Sequence, residues 1–176
     1  MENEKKMSEI TLRPLDYLDV DDVMVWVTDD RVSKYCRWET YTSREAAMNY
    51  IKDIVIPHPW LKAICLDNRP IGAISVAPNS GEDRCRGELG YVLGSKYWGQ
   101  GIATKAVKIV ANCIFNEWPY LERLEALVDL ENIGSQRVLE KAGFQKEGVL
   151  RKYCIRKGRT RDMVMYSFLS IDPKLE

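Results

Sequence analysis

Lys96-Tyr97-Trp98-Gly99-Gln100-Gly101-Ile102-Ala103-Thr104-Lys105-Ala106 places two glycines directly ahead of a run that reads as an amphipathic helix. Ile102, Ala106, Val110, Cys113 and Ile114 recur on one face, with Lys105, Lys108, Asn112 and Asn116 on the other. The first turn of a helix presents main-chain N–H groups without internal partners, together with the positive end of the dipole, so it readily holds an anion. Glycines there let a phosphate approach the main chain with no Cβ in the way. The stretch is not a P-loop: Thr104 stands where G-x-x-x-x-G-K-S/T needs its second glycine, and the same threonine breaks G-x-G-x-x-G. Taken alone, the G-x-G has two readings, an anion cradle or a loop that merely turns the chain into the helix.

The flanks supply the setting. Arg86 to Leu93 is an alternating, glycine-broken run, expected to be a strand carrying a bulge because Gly87 and Gly90 weaken a regular ladder. Arg123 to Val128 is the next strand, and Asn132-Ile133-Gly134-Ser135 enters a helix that Gly143 ends. Strands around Phe144 to Tyr153 and Arg161 to Leu169 flank the turn Arg156-Lys157-Gly158-Arg159. Upstream, Ile10 to Arg13 reads as a strand stopped by Pro14, and Val20 to Val27 as a short helix with Asp21 and Asp22 in its first turn. Thr42-Ser43-Arg44-Glu45 has the form of a capping box ahead of a second helix from about Ser43. Leu61–Leu66 and Ile71–Ala77 form a hairpin around Asp67-Asn68-Arg69-Pro70. The order of elements predicts an α/β (α+β) fold, a mixed sheet with helices packed on its faces.

With 176 residues, 45% of them hydrophobic, the chain suits one domain spanning 1–176 with a real core. Lys+Arg and Asp+Glu both number 26, so no strongly basic face is expected and nucleic acid is not an expected partner. The five cysteines form no C-x-x-C pair and signal neither a disulfide framework nor a metal site; they are expected to be reduced and mostly buried. Met1 to Lys6 lacks the character of a secretory or transit signal, and no apolar run reaches membrane-spanning length, so a soluble cytoplasmic or nuclear protein is expected. His58, between Pro57 and Pro59, reads as structural or exposed. The oligomeric state is left open.

In context, the chain resembles the GNAT superfamily of acetyl-coenzyme A-dependent N-acetyltransferases, whose signature Q/R-x-x-G-x-G/A lies between a bulged strand and a helix. The match is Lys96-Tyr97-Trp98-Gly99-Gln100-Gly101, with lysine where Arg or Gln is usual, preceded by Glu88-Leu89-Gly90-Tyr91-Val92-Leu93. Asn132 to Phe144 is similar to the family's N-x-x-S/A segment ending in E-K-x-G-F. Glu147 to Arg151 and Asp162 to Ser167 resemble the closing strands of the Rim-type branch, the acetylases of ribosomal-protein N-termini and their relatives. The resemblance covers nearly the whole chain and implies a sheet of about seven mostly antiparallel strands with helices on both faces.

It also implies a chemistry. Main-chain N–H groups of Gly99, Gln100, Gly101, Ile102, Ala103 and Thr104 would hold the pyrophosphate of acetyl-CoA. The main chain of Tyr91, Val92 and Leu93 would bind the pantetheine arm like an added strand where Arg86–Leu93 splays from Arg123–Val128, with Asn132 on the far side. Lys105, Lys108 and Lys141 would either pair with the ribose phosphate or simply be solvated. The acetyl group would pass directly to a primary amine, a protein N-terminal α-amine or a small amine, with no metal. Glu88 is the candidate base and Ser135 the candidate acid, because Leu139 occupies the position where many relatives carry a tyrosine. Each has a plainer reading: a salt-bridged sheet carboxylate and a helix-entry hydroxyl. Trp38, Glu39 and Tyr41 would line the acceptor side or else serve packing and surface. The alternative function is a non-catalytic acyl-CoA-binding regulatory module.

Overall fold

The computed structural model describes residues 9–174; the terminal stretch Met1 to Lys6 lies outside them. In chain order the elements are β1 (Ile10–Arg13), α1 (Val20–Val27), α2 (Asp30–Ser33), α3 (Arg44–Tyr50), β2 (Leu61–Leu66), β3 (Arg69–Pro78) and β4 (Arg86–Leu93), then α4 (Ile102–Glu117), β5 (Arg123–Asp129), α5 (Ile133–Lys141), β6 (Gln145–Arg156) and β7 (Arg159–Leu169). One seven-stranded sheet has the order β1-β2-β3-β4-β5-β7-β6. Every neighbouring pair is antiparallel except β4 and β5, which α4 connects as a crossover.

The two faces of the sheet are covered differently. On one, Ile74, Leu89, Leu93, Leu124 and Val164 pack under Val107, Val110 and Ile114 of α4 and Leu139 of α5. On the other, Ala63, Cys65 and Ala73 meet Val23 and Val27 of α1, Ala47 of α3 and Ile51. That second cover serves the β1–β3 half. On the β4–β5–β7 half the same face carries Glu88, Arg123, Glu125, Asp129, Arg161 and Ser167, a polar surface next to the sheet's central split.

Local chemistry explains the element ends. Asp67 and Asn68 both take positive φ (50° and 66°), the two-residue turn whose twist suits a hairpin, and Lys157-Gly158 repeats it between β6 and β7. Asp21 and Asp22 stand in the first turn of α1 and reach Arg44 (3.0 Å) and Arg69 (2.7 Å). Among the described residues no helix is long and apolar enough to cross a membrane.

Several expectations are corrected. Ser43, not Thr42, caps α3, because Ser43 is the extended residue and its Oγ accepts from the Ala46 N–H at 3.1 Å. β4 carries no bulge against β3: the register runs unbroken from Gly72 opposite Leu93 to Pro78 opposite Gly87. Its glycine at 87 serves close approach, since a Cβ would stand 3.1 Å from Val76 Cγ1. Of the cysteines only Cys65 is fully buried; Cys36, Cys113 and Cys154 are half-buried and Cys85 is exposed. The four-residue α2, too short to show a period, was not expected; Asp29 caps it.

Gly72 on β3 fixes how closely β4 lies alongside, because a Cβ there would run into the Val92 carbonyl oxygen and stand 3.0 Å from Leu93 Cα. Gly72→Ala is therefore expected to destabilise the fold by roughly 1–3 kcal/mol or more, as overpacking does; a denaturant midpoint equal to wild type would refute this account of the β3–β4 spacing.

Candidate active site

The β4–β5 pair is joined at one end only. Arg86 pairs with Arg123, Gly87 with Leu124 and Glu88 with Glu125, and there the ladder stops although β4 runs on to Leu93 and β5 to Asp129. Past the last rung the facing main-chain edges of β4 and β5 have no strand partner, and polar backbone groups in that position call for one. Tyr91, Val92 and Leu93 lie on this diverged part of β4. The Leu93 carbonyl already accepts from Trp98 Nε1 (2.8 Å), which ties the following loop to the strand end.

That loop leads to the start of α4. Gly99 and Gly101 have φ of 74° and 77°, and a Cβ built on either meets nothing within 4 Å. The left-handed φ explains why glycine is needed, and the empty surroundings leave the main chain open. Gly101 is the N-cap and offers no side chain; its carbonyl accepts from Lys105 (3.0 Å). The N–H groups of Ile102, Ala103 and Thr104 thus start the helix without an internal partner. Gln100 turns its side chain back to the Lys96 carbonyl (3.1 Å), bracing the loop and leaving its main chain as the part available to a ligand.

Across the split stands the first turn of α5. Asn132 caps it, its Oδ1 accepting from the Ser135 N–H at 3.2 Å, so that oxygen is already engaged. Ser135 Oγ lies 2.7 Å from the Tyr91 hydroxyl, which also reaches the Ser135 carbonyl at 3.0 Å. Burial pushes the Tyr91 phenol above its ordinary range, outweighing the opposing pull of the Ser135 hydrogen bond. Leu139 is fully buried in the core. Lys141, exposed in the last turn of α5, stands six residues beyond Ser135, roughly 9 Å along the axis, and does not join the groups at the split.

Glu88 occupies the last rung before the split. Arg37 Nη2 lies 2.5 Å from its Oε1, so its carboxylate is partly exposed and ion-paired at once. Opposite it, buried Glu125 takes Arg86 (2.5 Å) and Arg123 (2.9 Å), and Arg123 continues to both oxygens of Glu147 at 2.7 Å. Farther along β5, Asp129 receives a two-pronged hydrogen bond from Arg161 at 2.7 Å. Burial is the largest single influence on the Asp129 carboxyl and raises its pKa, but the Arg161 guanidinium, the Glu131 N–H and the charge of Arg156 together hold the group below the usual carboxylate range.

Arg37 belongs to a segment that touches both the split and the β6–β7 turn. Tyr35 O accepts from Arg156 (3.0 Å), while Trp38 O and Glu39 Oε2 take Lys157 (3.0 and 3.3 Å). Trp38 stacks on Tyr41, centroids 5.7 Å apart, and packs against the second core. Glu39 is therefore held by Lys157, not poised beside Glu88. Between segment and turn lies an open cavity of about 370 Å³ lined by Ser33, Tyr35, Glu39, Asp129 and Arg161 among others. The sequence reading missed Arg37 and the Tyr91 hydroxyl. No local signal marks Arg37, whose partner is 51 residues away, whereas an aromatic inside the Glu88–Leu93 motif was visible.

Residues 9–145 match the family described as the acetyltransferase (GNAT) domain. The uncharacterized N-acetyltransferase p20 of Bacillus licheniformis is 31% identical over 165 residues, covering 91% of this chain and 92% of that protein. The crystal structure of a GNAT-family acetyltransferase from Bacillus anthracis superposes with a TM-score of 0.80 at 28% identity, over 92% of this chain and 96% of that one. RimL, a ribosomal L7/L12 α-N-protein acetyltransferase solved with coenzyme A, has the same fold: TM-score 0.79 at 19% identity, over 93% and 94% of the two chains.

The network at the closed end of the split generates an acid signature. Arg123 first, and the Ser167 hydroxyl second, hold the Glu147 carboxyl down to about 2, well below its ordinary value near 4.3. A depressed folded-state pKa contributes stability that is present above about pH 4.3 and lost as pH falls toward about 2. Wild type should exceed Glu147→Gln in stability at neutral pH, and the gap should close across that window in pH-dependent urea unfolding. A gap independent of pH would show that the Arg123–Glu147 pair carries no charge-dependent stability.

Proposed function

The chain belongs to the GNAT acetyltransferases, enzymes that transfer the acetyl group of acetyl-CoA to an amine, and on that premise we propose that it acetylates a peptide N-terminal α-amine, or a small amine of similar shape, by direct attack with both substrates bound. The observation that carries this reading is the end of β4–β5 pairing at Glu88 and Glu125, beside an uncapped α4 N-terminus. Acetyl-CoA supplies an activated thioester. The residues fit it: the Gly99–Thr104 main chain is open where a pyrophosphate needs N–H donors, and the free edge at Tyr91, Val92 and Leu93 can accept the pantetheine arm as an added strand.

The chain's own groups then divide the work. The main-chain N–H of Leu93, on the edge of β4 turned away from β3, polarises the carbonyl. Glu88, at the last rung, takes a proton from the incoming amine, with Arg37 holding one of its oxygens in place. Ser135 faces the sulfur as it leaves. The amine enters from the face opposite α4, past the Tyr35–Glu39 segment. In the cavity there, cationic side chains outnumber acidic ones by five to four. The lining therefore carries no acidic excess of the kind a polycation calls for.

Mass spectrometry of a pool of peptides with varied N-termini, free amino acids, polyamines and aminoglycosides, incubated with acetyl-CoA and the protein, tests the acceptor class. The expected outcome is a 42 Da gain (roughly one acetyl group) confined to α-amines; label on polyamines alone would overturn the assignment. Glu88→Gln should lower kcat roughly 100-fold with acetyl-CoA affinity nearly unchanged, and an unaltered kcat across the pH range would remove Glu88 from the chemistry. Gly101→Ala should weaken acetyl-CoA binding about tenfold, measured by calorimetry, while moving stability by only about 1 kcal/mol.

A further inference from the structure

We propose that Tyr91 is the positioning residue for Ser135, its hydroxyl turning the serine O–H into a donor aimed at the split between β4 and β5. This rests on the reading that Ser135 faces the departing sulfur. Tyr91 sits on the diverged part of β4, and its side chain reaches the first turn of α5, 44 residues on, where its oxygen meets Ser135 Oγ (2.7 Å) and Ser135 O (3.0 Å). Each hydroxyl has one hydrogen, so the cluster admits two orders. In one, Tyr91 donates to the main-chain carbonyl and Ser135 donates to Tyr91, leaving the serine only lone pairs to offer the split. In the other, Tyr91 donates to Ser135 Oγ and frees the serine hydrogen to point into the split.

Negative charge growing on sulfur selects the second order. A serine O–H that accepts from a phenol is polarised and donates more strongly, and the low local dielectric magnifies the effect. Tyr91 does not itself give up a proton: burial holds the phenol in its neutral form, so it remains a donor throughout. The proton balance closes without it. The α-ammonium brings three hydrogens: Glu88 takes one to give the neutral amine that attacks and later releases it to solvent, one stays on the amide nitrogen, and the third ends on the sulfur as the C–S bond breaks. Ser135 and Tyr91 finish as they began, having only reoriented.

The alternative is a packing role, since Tyr91 also leans on the core beneath α4. Tyr91→Phe keeps the ring and removes only the hydroxyl. Thiol release from acetyl-CoA in a single turnover, with the pooled amines described above as acceptor, is to be measured for wild type, Tyr91→Phe, Ser135→Ala and the double variant, alongside KM for acetyl-CoA and melting temperature. The expected result is a roughly tenfold slower Tyr91→Phe with KM and melting temperature unchanged, a Ser135→Ala at least as slow, and a double variant no slower than Ser135→Ala. Losses that multiply in the double variant would overturn the proposal, because Tyr91 would then act independently of Ser135. A slow Ser135→Ala beside a wild-type Tyr91→Phe would refute the Tyr91 role and leave the serine assignment standing. Wild-type speed in Ser135→Ala would remove both.

Discussion

Everything at the site depends on β4 and β5 being held together at one end and apart at the other. A parallel pair of strands normally continues pairing, because each abandoned rung leaves main-chain groups without partners in a partly buried place. Here three rungs form and then none. The closed end is pinned by charge: buried Glu125 on β5 is held by Arg86 from β4 and by Arg123 two residues back, so the rungs at 86–88 are crossed by side-chain bonds as well. At the open end, each strand is committed to another neighbour. β5 keeps its full register with β7 through Asp129, and β4 keeps its own with β3 through Leu93. The split is therefore a compromise between two well-paired halves of the sheet, and a ligand with amide groups can complete the missing edge.

The two helices beyond the split answer different needs. α4 is entered through two left-handed glycines and carries no capping side chain, an arrangement that forgoes the roughly 1 kcal/mol a Ser or Asp cap contributes. α5 is conventionally capped, by Asn132, and buries Leu139 in the same core with Val138 packed against it. One helix start is thus left bare and the other is closed. The bare one suits an anion, whereas the closed one presents side chains, Ser135 among them, at a fixed distance from β4.

How much of this was legible depends on range. The hairpin turns, α1, α4 and α5 follow from residues within a few positions of each other: paired turn residues at Asp67-Asn68, apolar spacing from Ile102 to Ile114, an asparagine entry at Asn132. The glycine pair ahead of α4 was equally readable. The bulge read from Gly87 and Gly90 was not there, because glycine in a strand serves close approach as readily as it serves irregularity; Val76 beside Gly87 decides the matter, and the sequence does not say which residue will lie there. The partners of Glu88, Trp38 and Glu39 were out of reach for the same reason. Arg37 meets Glu88 across 51 residues, and Lys157 of the β6–β7 turn meets Glu39 from 118 residues away, contacts that exist only in the folded chain.

That folding-over bears on how the acceptor side is built. The segment from Tyr35 to Glu39 carries no regular structure of its own, yet it is fastened along its length: Arg37 at its middle to Glu88 beside the split, and Tyr35, Trp38 and Glu39 to Arg156 and Lys157 at the β6–β7 turn. Most of these bonds run to main-chain carbonyls or between exposed charges, each worth about 1 kcal/mol or less. A wall made of such contacts can yield to an entering chain more easily than the apolar packing under α4. The glycine loop and the start of α4 offer main chain instead, set by two left-handed glycines and the helix they lead into. On the proposed function, such a wall beside a main-chain donor site suits one cosubstrate meeting varied amines, and it would put the determinants of acceptor choice on residues 35–39 and on the β6–β7 turn, away from the glycine loop.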